Sequence, residues 1–206
     1  MNSNGLTDYS QLEGYIIQRH ISQILDLGVS HIVWQDPLEK GIEIDIKFPS
    51  ETIVQVWKWH STDMGWADWS EYLAYVTGLG HKAILSSCWY LNLISYGEDW
   101  IDYYQCDPHN FEGSEEQKSL VLGGETTFWA EYIDETNLHS RIWPRASAVA
   151  EKLWSQTTDS VPDARHRLDQ HRCNMIKYSY KSFKIPMRGF QAAPVFNGFC
   201  PVERVS

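Results

Sequence analysis

Four short β-prone apolar runs, the first two parted by a polar stretch and the others by helical patterns, constrain this chain more than any other feature. They lie at residues 31–35, 52–57, 82–87 and 121–129, the first ended by Asp36-Pro37 and the last containing Gly123-Gly124. Leu12, Tyr15, Ile16, Ile21, Ile24 and Leu25 recur at helical spacing and predict a helix over 9–27. Asp8 or Ser10 is its N-cap and Gly28 its stop. Further helices are expected over 70–79, closed by Gly80, and over 100–104, 115–120, 140–155 and 162 to about 177. Residues 59–69 read as a long loop, and the tail beyond Ile185 as irregular. Strands alternating with helices imply parallel β/α units, and there is no repeat or low-complexity linker to divide them. The fold class is α/β. A closed barrel of this type needs eight strands, so four would leave two edges open.

Charge and composition narrow the partners. A formal charge of −10 argues against nucleic acid or an anionic membrane, either of which prefers a basic face. No apolar run approaches the roughly 18 residues that a membrane span needs. The four cysteines, Cys88, Cys106, Cys173 and Cys200, form no C-x-x-C pair, so a zinc cage is not expected. Residues 1–5 carry neither the basic nor the apolar region of a signal peptide. The excess is aromatic, with 10 Trp, 11 Tyr and 7 Phe. Composition alone favours an aromatic-rich core.

Position adds a second reading. In β/α folds, ligand contacts come from the C-terminal ends of strands and the loops after them. Here the candidate strands end in Trp34, in Trp57, in Trp89 and Tyr90, and in Trp129, with Gln35, Asp36, Asn92 and Glu131 beside them. Aromatic walls with a few polar groups are what a pyranose needs for orientation, although any one ring can equally face the core.

The segments IVWQ (32–35), VQVWK (54–58), WYLNLISYG (89–97), GGE (123–125), WAEY (129–132), LHSRIWPRASAVAEKLW (138–154) and HRC (171–173) resemble the animal lysosomal β-N-acetylhexosaminidases. They occur in that family's order over about residues 11–200. The resemblance implies a (β/α)8 TIM barrel of which this chain supplies strands 5–8. Residues 1–206 would be a partial catalytic domain: a half barrel over about 10–160, then a C-terminal helix and disulfide-linked tail over 161–206. It also implies removal of terminal non-reducing N-acetylglucosamine or N-acetylgalactosamine from glycans, glycoproteins or glycolipids, with no cofactor or metal. Such enzymes are substrate-assisted: the sugar's own acetamido oxygen attacks the anomeric carbon. A Glu protonates the leaving oxygen, and the Asp before it orients the acetamido group.

By the same resemblance, Trp34, Trp57 and Trp129 wall the terminal sugar and its acetamido methyl. Tyr90 donates to the acetamido oxygen, Glu131 accepts from outer hydroxyls, and Asn92 lies near the 6-position. The family's Asp-Glu pair, which follows His-x-Gly-Gly, has no counterpart in these 206 residues. Glu115-Glu116 and Asp134-Glu135 fall in polar segments and are not expected to replace it. The chain by itself should therefore be inactive. A non-catalytic N-acetylhexosamine-binding or interaction protein is the alternative. Cys173 and Cys200 match a family disulfide, whereas Cys88 stands where the family carries Pro, and Cys88 and Cys106 are expected as free thiols. Residues 60–69 read as an insertion. The full-length protein would be lysosomal or secreted, and a homo- or heterodimer.

Overall fold

The computed structural model describes residues 5–44, 46–58, 68–93, 95, 97–155, 160–183 and 200. In chain order the elements are α1 (Tyr9–Asp26), β1 (Ile32–Trp34), α2 (Gln35–Ile44), β2 (Ile53–Val56), α3 (Trp69–Gly78), β3 (Lys82–Leu85), α4 (Trp100–Gln105), α5 (Glu115–Ser119), β4 (Val121–Gly124), α6 (Leu138–Ile142), α7 (Arg145–Trp154) and α8 (Val161–Phe183). The chain divides into two compact units. One is Met1–Ser87 with Pro108–Glu125, and the other is Cys88–Asp107 with Thr126–Ser206.

The first unit holds one parallel sheet in the order β1-β2-β3-β4. Val54 and Val56 of β2, with Ala83 and Leu85 of β3, are fully buried, as are Leu73 and Val76 of the α3 helix packed on both strands. The four strand residues share the sheet face that α3 covers, and burying each Val or Leu contributes about 1.5–3 kcal/mol. Helix ends follow the chain's own punctuation. The Asp8 carboxylate accepts from the Gln11 N–H at 2.9 Å to cap α1, and Ser114 with Gln117 forms a capping box on α5. The fourth strand is shorter than 121–129. Ala83 pairs with Val121 but Ile84 with Gly123, so Leu122 is an extra residue, and Gly123 takes φ +137°, a conformation open to glycine.

Two other expectations need correcting. The first strand ends just before Asp36-Pro37 as expected, but the polar stretch that follows it begins with α2, whose first turn holds both residues because proline's missing N–H is not needed there. The helix expected over 140–155 is two helices, broken at a cis Trp143–Pro144 peptide. Inside one helix Pro144 would clash with the preceding turn. The insertion read at 60–69 and the tail beyond 185 lie outside the described residues, apart from residues 68 and 69 and Cys200.

In the second unit Trp100, Tyr104, Ala148, Ala164 and Leu168 form a core between α4, α7 and α8. Arg145, 6% exposed, donates to the Asp99 carboxylate at 2.7 Å, and Arg165 makes a two-pronged contact with Glu98 at 2.9 Å on each arm. Cys173 pairs with Cys200, as the resemblance implies. Cys88 pairs with Cys106, against the expectation of free thiols. Their 18-residue separation hides the reason: Cys106 caps the C-terminus of α4, which brings the two Cα atoms to 6.4 Å, within disulfide reach. No helix among the described residues is long and apolar enough to cross a membrane.

Candidate active site

Trp34 is the last residue of β1 and Trp57 follows β2 directly, so the parallel register carries both indoles to the same end of the sheet. Their ring centroids are 6.4 Å apart and the planes meet edge-on at 84°. Trp34 is 47% exposed, which leaves much of a ring open to a ligand.

A polar cluster holds Trp57 in place. Gln35, fully buried, accepts from the backbone N–H groups of Trp57 and Lys58 at 2.8 and 2.9 Å and donates to Glu39 at 2.6 Å. The Trp57 indole N–H donates to Asp36 at 2.7 Å. Lys58 bridges Asp36 and Glu39, and its ammonium sits 5.7 Å from the Trp57 ring centroid. Gln35 and Asp36 thus serve the tryptophan from below, in place of the sugar-contacting role suggested by their neighbourhood. Lys58 and Glu39 escaped sequence reasoning. Glu39 lies one turn beyond Gln35 on α2, a signal visible only once that segment is recognised as helix.

Partial burial pushes the Asp36 carboxyl up, but the hydrogen bonds from Trp57 and Lys58 and the Lys58 charge outweigh it and hold it below its ordinary value. Desolvation works against the Lys58 charge too, yet Glu39 and Asp36 keep its ammonium above its ordinary value. A depressed carboxyl stabilises the folded state above its unfolded value of about 3.9, and that contribution is lost as pH falls through the lower folded value. The Trp57 indole N–H resonance should therefore stay constant from about pH 7 to 4.5 and move only in stronger acid. Asp36→Ala should shift it at every pH while costing less than about 1 kcal/mol of stability, since the cluster is partly solvated. A midpoint at or above the ordinary carboxylate value would contradict this account.

The second unit carries Tyr90, Asn92, Trp129 and Glu131. Tyr90 forms an isolated parallel bridge with Thr127: the Thr127 N–H donates to the Trp89 carbonyl at 2.9 Å, and the Leu91 N–H to the Thr127 carbonyl at 3.0 Å. This joins the loop bearing Tyr90 and Asn92 to the segment that continues into Trp129 and Glu131. Trp129 is 50% exposed and Glu131 is exposed. The Asn92 side chain is buried, and its carbonyl oxygen has no hydrogen-bond partner among the described residues. Trp89, read from the sequence as a rim aromatic, is instead fully buried, with its indole N–H donating to the Tyr103 carbonyl at 2.9 Å. Asp134, Glu135, Glu115 and Glu116 are all exposed, the Asp134 carboxylate accepting from Thr136. Glu125 accepts from Gln55. Among the described residues no cluster of three or more His, Cys, Asp or Glu is placed to hold a metal ion.

Parallel β/α units with tryptophans at the strand ends place the candidate site where β/α domains carry their ligand contacts. The chain belongs to glycosyl hydrolase family 20: residues 1–157 match the model of that family's catalytic domain. Over 202 residues it is 43% identical to mouse (Mus musculus) beta-hexosaminidase subunit beta, covering 96% of this chain and 33% of that one. Mouse subunit alpha is 38% identical over 204 residues, covering 98% and 35%. An X-ray structure of Flavobacterium johnsoniae chitobiase superposes with a TM-score of 0.67 at 25% identity, covering 89% of this chain and 27% of that one. The chain spans about a third of the length of the curated relatives it matches.

Proposed function

We propose that this chain is the sugar-binding part of a β-N-acetylhexosaminidase that removes terminal non-reducing N-acetylglucosamine or N-acetylgalactosamine from glycans and glycoconjugates. The observation that carries this reading is the edge-on Trp34–Trp57 pair at the ends of neighbouring parallel strands, in a chain of family 20. In this reading residues 10–160 correspond to strands 5–8 of a (β/α)8 barrel, and 161–206 to a C-terminal helix and disulfide-linked tail. Trp34, Trp57 and Trp129 supply apolar faces to the sugar and its acetamido methyl. The Tyr90 hydroxyl donates to the acetamido oxygen and so positions the internal nucleophile. Glu131 accepts from outer hydroxyls, and Asn92 serves the 6-position, where its buried carbonyl oxygen suits a hydroxyl donor.

The acid step needs an Asp-Glu pair after His-x-Gly-Gly, which these 206 residues do not contain. The 206-residue chain by itself is therefore inactive in this reading, since loss of a general acid alone costs on the order of 10² to 10⁴ in rate. The relatives are named as subunits, which supports a homo- or heterodimer as the working form. A lysosomal or secreted location fits the two disulfides, which persist in oxidising surroundings. The test is hydrolysis of a chromogenic N-acetylglucosaminide by the chain at mildly acidic pH, beside titration with N-acetylglucosamine. Binding without turnover is the expected result. Turnover abolished by substituting one of the chain's own carboxylates would overturn the account of the missing acid, and absence of binding would overturn the sugar site.

A further inference from the structure

Tyr90 is held by its neighbours more than by its own segment. On one side lies the Thr127 bridge. On the other lies α4, reached through three contacts that converge on residues 88–90. The Cys88–Cys106 disulfide ties the start of the loop to the C-terminal cap of α4. The Trp89 indole N–H donates to the Tyr103 carbonyl at 2.9 Å, and the Tyr103 hydroxyl reaches back to the Tyr90 carbonyl at 3.5 Å. Both hydrogen bonds run to a single residue of α4, so they fix a position along that helix while leaving the loop free to pivot about it. The disulfide adds a covalent point one turn further on and removes that pivot. Cys88 is buried and Cys106 half-buried, so the link lies under the loop at its Cys88 end.

We propose that the Cys88–Cys106 disulfide is a positioning element for Tyr90, so that recognition of the acetamido group depends on this bond while general sugar contact does not. The proposal rests on the reading of Tyr90 as the acetamido-contacting residue. A hydrogen bond to the acetamido oxygen tolerates little displacement, because its strength falls steeply with angle. Stacking of a sugar face on Trp34 or Trp129 involves neither cysteine and tolerates sliding.

The test uses the full 206-residue chain and two probes, N-acetylglucosamine and glucose, titrated against its amide and indole resonances. The wild-type chain should prefer N-acetylglucosamine. Cys88→Ala with Cys106→Ala should lower that preference about tenfold, the worth of one well-placed hydrogen bond, with glucose affinity unchanged. Cys173→Ala with Cys200→Ala should leave the preference intact, which separates this role from a general loss of stability. If the first variant does not fold, Cys88→Ser with Cys106→Ser removes the same bond while staying closer to cysteine in size, and should show the same loss of preference. A folded chain of either variant with unchanged preference overturns the proposal alone. A wild-type chain that binds neither probe overturns the sugar reading and this inference with it.

Discussion

Replacing Trp89 with alanine should destabilise the chain by about 3–5 kcal/mol, measured by urea denaturation followed by far-UV circular dichroism. The indole is fully buried, and its N–H satisfies the Tyr103 carbonyl near the end of α4. Alanine would leave a large cavity there and an unmet acceptor, two costs that add. Trp89→Phe separates them, since it keeps most of the ring volume and removes only the donor. It should cost about 1–3 kcal/mol. If Trp89→Ala proved as stable as the wild-type chain, the ring would have to lie on the surface, as its place after a strand suggests.

The second large effect is expected at Asp99. Its carboxylate accepts from Arg145 and from the Ser95 hydroxyl, each at 2.7 Å. The Arg145 and Asp99 side chains are only 7% and 14% exposed, so removing the acid leaves a guanidinium stranded away from water. Asp99→Ala should cost about 3–5 kcal/mol. Joint replacement, Asp99→Ala with Arg145→Met, should recover most of that loss, because an apolar pair has no charge to desolvate. The four-way comparison of unfolding midpoints checks this, and a double variant no more stable than Asp99→Ala would show that Arg145 acts through packing instead of charge.

The arrangement of these parts was readable in the sequence to different depths. The four strands stood out because β-branched and apolar residues cluster in short runs closed by glycine, proline or aspartate, and the helices expected ahead of the third and fourth pointed to parallel pairing. The first turn of α2 was not readable, since Asp36-Pro37 signals a stop or a start equally well. With that helix unrecognised, Glu39 and Lys58 had no apparent connection to Trp57. The break at Pro144 is masked because the run after it, with Ala146, Ala148 and Ala150, continues the helical pattern that begins before it. At the candidate site the six proposed residues are among those placed after strands, but the resemblance, and not position, singled them out. Which aromatic faces solvent could not be read, because Trp89 and Tyr90 are adjacent and alike in apolar character. Only the α4 backbone decides that the first turns inward. The Cys88–Cys106 pairing was hidden for a related reason, since it depends on where a short helix ends in space and on nothing local to either cysteine.

That bond also bears on the order in which the chain assembles. The sheet is discontinuous in sequence: β3 ends at Leu85, and β4, which completes it, begins only at Val121. The excursion between them contains both Cys88 and Cys106. Once they are joined, the slack that separates β3 from its partner is shortened to about half, and each halving of a flexible loop lowers the entropy of closure by about 0.6 kcal/mol. During synthesis both cysteines emerge before β4 does. Oxidation can thus precede the arrival of the last strand, and a covalent event in the intervening loop prepares the non-covalent one that closes the sheet.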